Sequence, residues 1–301
     1  MGRRGNNMDL YENCHLCARN CGINRYQHAG YCKMTNEIYL SRAALHMWEE
    51  PPISGTKGSG TIFFSGCSLS CVFCQNADIS RGRSGRSVSI DRLAEIMLEL
   101  QHKGAHNINL VTPTHYIPSL ALAIPMAREK GLTIPIVYNT GSYEKIDTLK
   151  RIDPYVDIYL PDMKFYSPAL SKRYLGKENY FEYASEAISF MANAKPLKTT
   201  EQGKMLSGCI VRHLVMPLCT SDSKTLLKWF NAYLPPSTYL SLMSQYTPFG
   251  EIEGYKELSR PITAREYNAV LDTALSLGLE NRLFLQERKS SSEKYIPEWD
   301  Y

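Results

Sequence analysis

Residues 61–76 read Thr-Ile-Phe-Phe-Ser-Gly-Cys-Ser-Leu-Ser-Cys-Val-Phe-Cys-Gln-Asn, an apolar run followed at once by three closely spaced cysteines. Short apolar runs with β-branched and aromatic residues are typical of buried strands, so we expect Cys67, Cys71 and Cys74 on the loop that leaves this strand. Closed zinc sites take four ligands. Three thiolates on one short loop instead fit a cubane iron–sulfur cluster that leaves its fourth iron open. The stretch therefore predicts a reactive [4Fe-4S] site at the end of a strand.

Similar apolar runs recur along the chain, and with 61–64 they give six candidate strands, the others being 108–111, 134–138, 156–160, 209–215 and 239–244. Between them apolar residues recur at helical spacing, as in 89–102, which ends near Gly104. Parallel neighbours need crossover helices, so six alternating units predict a parallel α/β sheet. No G-x-G-x-x-G follows the first strand, which argues against a doubly wound dinucleotide-binding sheet. We expect an incomplete (β/α)6 TIM-like barrel with its chemistry at the carboxyl ends of the strands.

Composition excludes several other classes of protein. The chain has 301 residues, of which 44% are hydrophobic and 21% are charged, as in ordinary globular domains. The net charge of +4 comes without a concentrated basic stripe, so we expect no DNA partner. No apolar run approaches the roughly 20 residues of a membrane span. The first ten residues lack the apolar core of a secretory signal. We therefore expect a cytoplasmic protein with no membrane contact.

A second group of cysteines precedes the first predicted strand and comprises Cys14, Cys17, Cys21 and Cys32. Nine cysteines in total is an odd count, which argues against a complete disulfide framework. Four thiolates joined by short loops can close one metal site. Either a structural zinc ion or an additional iron–sulfur cluster satisfies that pattern, and the sequence leaves both open. We divide the chain into a Cys-rich metal-binding segment at 1–35, a connector at 36–59, the (β/α) core at 60–287 and a C-terminal tail at 288–301.

Polar side chains at or after the later strands are further candidates for binding. They are Thr114, His115, Asn139, Asp162, Lys164 and Arg212. Asp162 and Lys164 are two residues apart, so an extended backbone directs both to one side. Arg212 interrupts an apolar run, where a charge is costly unless it is paired, and a guanidinium suits bidentate contact with a carboxylate.

The spacing C-x3-C-x-aromatic-C resembles the signature of the radical S-adenosylmethionine (SAM) superfamily, and it is filled here by Cys67, Cys71, Phe73 and Cys74. The flanking Gly66 and Gln75-Asn76 are similar to the branch that contains pyruvate formate-lyase activating enzyme. In that superfamily SAM chelates the open iron through its amino and carboxylate groups. The resemblance implies a [4Fe-4S] cluster at the three cysteines, with SAM as the second cofactor.

The resemblance also implies roles for the polar candidates. Many relatives bind the SAM amino group with a Gly-Gly-Glu turn after the second strand, where this chain has Thr112, Thr114 and His115 instead. Asn139 lies in a stretch that resembles the activating enzymes' Asp-Thr-Asn-Gly, and Asp162-Met-Lys164 matches their Asp-x-Lys element. In those relatives such groups hold the SAM carboxylate and a monovalent cation. We expect Arg212 to bind the same carboxylate.

By resemblance, the chain is expected to abstract hydrogen from a protein glycine and so activate a glycyl radical enzyme, with flavodoxin or ferredoxin as electron donor. Two alternatives remain at this stage. The substrate is another peptide, an RNA or a small molecule, or the chain is a non-catalytic iron–sulfur or zinc module.

Overall fold

The computed structural model describes residues 9–250 and 252–285 and contains one sheet of ten strands. In chain order these are β1 (Ile38–His46), β2 (Ser59–Phe64), β3 (Arg86–Val88), β4 (Ile108–Val111), β5 (Ile136–Thr140), β6 (Ile158–Pro161), β7 (Lys198–Thr199), β8 (Met205–Leu214), β9 (Tyr239–Met243) and β10 (Leu283–Leu285). The sheet order is β10-β9-β8-β6-β5-β4-β2-β1-β3, with β7 paired to β8.

The order of the parallel strands distinguishes the two architectures that the sequence allowed. From β2 through β4, β5, β6, β8 and β9 to β10, all neighbours are parallel and follow one another in chain order. A doubly wound sheet would reverse direction at a switch point. The described sheet ends at β10 on one side and at β3 on the other, so it does not close. The predicted α/β fold, an incomplete TIM-like barrel, is confirmed.

Nine helices in the described residues connect and cover the strands. They are α1 (Pro51–Ser54), α2 (Ala77–Ser80), α3 (Ile90–His102), α4 (Ile117–Glu129), α5 (Ile146–Ile152), α6 (Pro168–Leu175), α7 (Tyr180–Ala194), α8 (Thr220–Tyr233) and α9 (Ala264–Ser276). Local sequence determines where some of the helices begin. The Ser89 side chain caps the N-terminus of α3, and Thr263 and Glu266 form a capping box at the N-terminus of α9. None of the described helices is long and apolar enough to cross a membrane.

Strand residues alternate between a helix-covered face and the lumen of the barrel. Outward residues such as Tyr138 and Tyr159 join the main apolar core, whereas Val137 and Leu160 face inward. The inward residues pack around the fully buried Ile53 of α1, which fills the base of the lumen. The carboxyl ends of the strands are therefore the open end.

Several elements differ from the sequence predictions. The segment expected as a connector, 36–59, contains β1, which pairs antiparallel with β2, and α1. The third predicted strand is shifted by two residues to β5, because Pro135 has no backbone N–H to donate and the strand continues through the polar Asn139 and Thr140. The tail expected at 288–301 lies outside the described residues.

Candidate functional site

A cavity of about 270 Å³ lies at the carboxyl ends of the parallel strands. It brings together most of the residues that the sequence marked out. The predicted residues in its lining are Cys67, Cys71, Cys74, Asn139, Asp162, Lys164 and Arg212. The strand order explains this assembly, because the ends of neighbouring parallel strands meet at one edge of the sheet.

The cysteine loop, residues 67–74, joins β2 to α2 and is held from several sides. Arg19 donates a 2.6 Å hydrogen bond to the Ser68 carbonyl, and the Tyr31 and Ser70 hydroxyls are 2.6 Å apart. The Val72 amide donates to the Tyr174 carbonyl at 3.0 Å. These contacts fix the loop backbone from both the N-terminal residues and the body of the barrel.

Burial controls the thiols of this loop. It raises the pKa of Cys67 to about 12 and that of Cys71 to about 12, and the positive charge of Lys164 opposes both shifts. A bound metal would instead lower the pKa of these thiols, because a coordinated thiol is deprotonated outright. The loop is therefore suited to thiolate chemistry only when cationic groups are close by.

The donor set fits an iron–sulfur cluster. All three thiols are free and line the same cavity. Within the described part of the chain, no three His, Cys, Asp or Glu side chains are grouped around the position of a single metal ion. A cubane cluster takes one thiolate per iron, so its ligands surround a cluster and do not converge on one ion.

A network of charged and polar side chains forms the wall opposite the cysteine loop. Arg212 donates to Asp162 at 2.8 Å, to Asn139 at 2.6 Å and to Glu49 at 3.3 Å, and Lys164 donates to Asp162 at 2.8 Å. Burial alone would raise the pKa of Asp162, but the charges of Arg212 and Lys164 lower it. Asp162 is therefore an anion that orients both cations.

Two predicted SAM contacts lie elsewhere. Thr114 donates a 2.6 Å hydrogen bond to Glu144, and His115 makes a 2.8 Å hydrogen bond to the Ser65 carbonyl. Both are buried, and neither is in the lining of the cavity. Thr112 is the residue of this turn that lines it, with a φ of 58° that is costly for a β-branched side chain. The turn therefore places Thr112 in the cavity lining, whereas the sequence analysis predicted Thr114 and His115 there.

Sequence reasoning missed Glu49 and Glu50, which also line the cavity. Glu49 accepts from Asn109 at 2.8 Å and from Arg212. Burial raises the pKa of both glutamates, and the charge of Arg212 opposes the shift. No local signal marks this pair, since acidic residues before Pro51-Pro52 look like part of an exposed turn.

The second cysteine group lies in the N-terminal segment, residues 9–35. Cys14, Cys17 and Cys32 are buried. Burial raises the pKa of Cys17 to about 12, and the nearby Cys32 and Cys14 add to the shift. Burial also raises the pKa of Cys32, with Cys14 and Cys21 contributing. No three of these thiols surround the position of a single metal ion in the described part of the chain, so the second metal site stays a prediction.

This segment is attached to the barrel by a buried arginine. Arg25 donates to the carbonyls of Met34, Thr35 and His115, and its guanidinium lies 4.8 Å from the centre of the Tyr11 ring. The segment also contacts the start of the cysteine loop.

That contact requires a glycine. A Cβ atom on Gly66, whose φ is +85°, would lie 2.5 Å from the carbonyl oxygen of Cys32. Only glycine accommodates both the backbone conformation and the close approach. The two cysteine groups therefore meet through backbone contact at Gly66.

Comparison with known proteins agrees with this geometry. Residues 61–200 match the family model described as the radical SAM superfamily. Among curated proteins it is 28% identical over 280 residues to the uncharacterized protein MJ0674 of Methanocaldococcus jannaschii, which covers 90% of this chain and 77% of the relative.

Solved structures with some similarity to this chain have low sequence identity to it. Streptococcus suis SuiB, crystallised with its precursor peptide SuiA, superposes with a TM-score of 0.50 at 14% identity and covers 73% of this chain; the match spans 46% of SuiB. A domain of pyruvate-formate lyase-activating enzyme from Bacteroides vulgatus gives a TM-score of 0.42 at 11% identity, over 57% of this chain and 92% of that domain.

Proposed function

We propose that this protein is a radical SAM enzyme whose cysteine loop holds a [4Fe-4S] cluster and whose facing wall binds SAM. The observation that carries the proposal is the meeting, in one cavity, of three free cysteines with Asp162, Lys164 and Arg212. Held by Cys67, Cys71 and Cys74, a reduced cluster would supply the one electron needed for reductive cleavage of bound SAM, whose 5′-deoxyadenosyl part would accept a hydrogen atom from the substrate.

The chain's own residues bind and orient SAM in this proposal. Arg212 has five N–H groups, and three of them are used by Asp162, Asn139 and Glu49. The remaining donors suit the SAM carboxylate. Asp162 holds Arg212 and Lys164 as cations, and Phe73 packs edge-on against Phe165 at 6.0 Å between ring centres. The aromatic pair restricts water beside the cysteines.

For the substrate we propose a protein glycine, which would make the protein an activating enzyme for a glycyl radical enzyme with flavodoxin or ferredoxin as electron donor. The support is the similarity of the Asn139 stretch and the Asp162–Lys164 element to the activating enzymes. A cation at the SAM carboxylate, beside Asp162, belongs to the same proposal.

The test is anaerobic SAM cleavage. The protein is reconstituted with iron and sulfide, reduced with dithionite and given SAM, and 5′-deoxyadenosine is quantified. The wild type should form the nucleoside and Cys71→Ala should not. Cys209→Ala is the matched control, because Cys209 is a buried cysteine in the main core on the helix-covered face. No nucleoside and no SAM binding to a loaded wild-type cluster would overturn the proposal.

The glycine substrate needs a separate experiment. The reduced protein and SAM are mixed with a glycyl radical enzyme encoded in the same genome, and the glycyl radical is measured by electron paramagnetic resonance. A radical signal that depends on SAM and on Cys71 supports the assignment. Efficient SAM cleavage without a radical on any such partner would exclude it and favour the alternatives of another peptide, an RNA or a small molecule.

A further inference from the structure

One arginine of the N-terminal segment reaches into the cysteine loop. Arg19 lies between Cys17 and Cys21 in the sequence, and its Nε–H donates a 2.6 Å hydrogen bond to the Ser68 carbonyl. No binding or chemical step of the proposed function uses this contact. A positive charge at the loop backbone can still act on the site sulfurs if the loop transmits its effect.

The loop provides that connection through a single peptide group, the one that joins Ser68 to Leu69. At one end of the group, the Ser68 carbonyl accepts the hydrogen bond from Arg19. At the other end, the Leu69 N–H donates to the Cys67 sulfur at 3.4 Å. Hydrogen bonds in a chain polarise one another, so the bond at the carbonyl strengthens the bond that the N–H donates. Arg19 is thereby linked to a sulfur of the site.

This peptide group lies in a buried, largely apolar environment. Ser68 and Leu69 are both buried. The Leu69 side chain belongs to one apolar cluster with Cys71 and Phe73, which fixes the direction of its N–H group. A hydrogen bond is electrostatically stronger inside a protein than in water, because the local dielectric is low. The link is therefore both oriented and shielded from water.

The guanidinium of Arg19 is held in place without losing its charge. Its Cζ atom lies 3.6 Å from the centre of the Tyr31 ring and 5.6 Å from the centre of the Tyr143 ring. Aromatic faces attract a guanidinium but carry no net charge that would neutralise it. Among the residues described, its buried Nη2 atom has no hydrogen-bond partner, and no carboxylate forms an ion pair with the side chain. The full positive charge therefore acts at the loop.

We propose that Arg19 is a positioning residue that raises the reduction potential of a cluster held by the cysteine loop, acting through the Ser68–Leu69 peptide group. Reduction adds one negative charge to the cluster. Hydrogen bonds to its sulfurs and nearby positive charge stabilise the reduced form, and both contribute to the potentials of iron–sulfur clusters. The inference rests on the proposed function for the presence of the cluster only.

The test is a redox titration of the full chain, reconstituted anaerobically and kept without SAM. The reduced fraction is followed by electron paramagnetic resonance against dyes of known potential, and the site signal is the one that Cys71→Ala removes. Arg19→Gln removes the positive charge. Because a charge-assisted hydrogen bond is roughly twice as strong as a neutral one, we expect the equilibrium constant for one-electron reduction to fall about tenfold, a shift of about 59 mV toward negative potential.

Two further variants separate the charge from packing. Arg19→Lys keeps the charge and an N–H donor, so it should recover most of the loss. Arg151→Gln removes a positive charge at an exposed position of α5 and should leave the potential unchanged. Iron and sulfide are measured in each variant, so that potentials are compared at equal cluster content.

The route through the peptide group has a signature of its own. Exchangeable hydrogens bonded to a cluster sulfur give hyperfine couplings in electron–nuclear double resonance, and exchange into D₂O identifies them. In Arg19→Gln the coupling of one such hydrogen should weaken, because the Leu69 N–H is then less polarised. A lower potential with unchanged couplings would show that the charge acts through space, and it would overturn this route.

Three other results would overturn the proposal. The first is an equal potential in the wild type and Arg19→Gln. The second is a fall in Arg19→Lys as large as that in Arg19→Gln. The third is loss of the cluster from Arg19→Gln, which would make the contact purely structural. A loaded wild type that cleaves no SAM would overturn the proposed function instead, and these potentials could still be measured.

Discussion

The two cysteine groups are positioned by different physical means. The cysteine loop leaves a buried strand, and its three thiols line a cavity whose other walls are the ends of neighbouring strands. The N-terminal segment contains short irregular turns, one 3-10 turn and an isolated β-bridge between Cys17 and Glu144, and Arg25 and local hydrogen bonds hold it against the barrel. The difference teaches that the first group is placed by the sheet, whereas the second depends on a few contacts with the barrel and on the metal that the sequence predicts for it.

The largest expected effect is on metal content. Replacing Cys67, Cys71 and Cys74 together by alanine should remove about four irons per chain, since one cubane cluster is lost. Replacing Cys14 and Cys17 should leave those irons in place. Iron, sulfide and zinc are measured after anaerobic reconstitution.

The same measurement identifies the second metal. A loss of zinc from the Cys14 and Cys17 double variant indicates a zinc site, and a loss of further iron indicates an additional cluster. Loss of all iron from both variants would contradict the independence of the two groups.

Asp162→Asn, which changes the charged network of the barrel, should cause the next largest effect, a loss in the free energy of unfolding. The substitution leaves Lys164 and Arg212 buried without their shared anion, and breaking a buried pair costs about 3–5 kcal/mol. The free energy of unfolding in urea measures the loss. Glu178→Gln, which breaks the exposed 3.1 Å pair with Lys172, should cost less than about 1 kcal/mol. Equal losses in both variants would contradict the network.

Arg25→Met tests the N-terminal side. The substitution leaves the carbonyls of Met34, Thr35 and His115 without their donor, and we expect a loss of about 3 kcal/mol. Hydrogen exchange should accelerate across residues 9–35 and stay unchanged in β4 to β6. Arg151→Met, at an exposed position, is the control. Uniform acceleration throughout the sheet would show that the segment is not a separate unit.

The smallest expected effect concerns pH. His213 is bonded to the Met163 carbonyl and to Ser223, and burial lowers its pKa to about 4. The unfolded state, with an ordinary histidine pKa near 6.5, binds the proton first, so stability falls as the pH drops below about 6.5. Between pH 6.5 and 5 His213 should contribute about 2 kcal/mol of this loss.

His213→Gln should reduce that pH dependence, and His102→Gln, at an exposed position of α3, should leave it nearly unchanged. Urea unfolding at a series of pH values provides the measurement. An unaltered slope in His213→Gln would mean that other groups cause the acid loss.

Much of the barrel could be predicted because short apolar runs in the sequence mark its strands. The apolar runs overlap six of the seven parallel strands, all except β10, and the run at 108–111 coincides with β4. Strand β1 was missed because it is an edge-side antiparallel strand of mixed polarity, with an exposed Leu45 and a partly exposed Arg42. This strand forms because it pairs with β2, and no local sequence pattern predicts that pairing.

The site divides in the same way. Asp162, Lys164 and Arg212 could be identified because a charge at the end of, or inside, a buried strand needs a partner. Glu50 could not be identified, because its burial depends on the later strands that enclose it. The sequence could not show that Thr112 lines the cavity and that Thr114 and His115 do not. The turn geometry decides this, and in that turn Thr112 adopts a positive φ.

The contact between Arg25 and the His115 carbonyl has a consequence for biosynthesis. The two residues are 90 positions apart, so the acceptor is made long after the donor. At about 5–20 residues per second, the N-terminal thiols leave the ribosome about 5–20 s before the turn that carries the acceptor of Arg25. During that interval they are exposed to oxidants and available to metal donors. The metal that the sequence predicts for these thiols would therefore have access to them while the chain is still being translated.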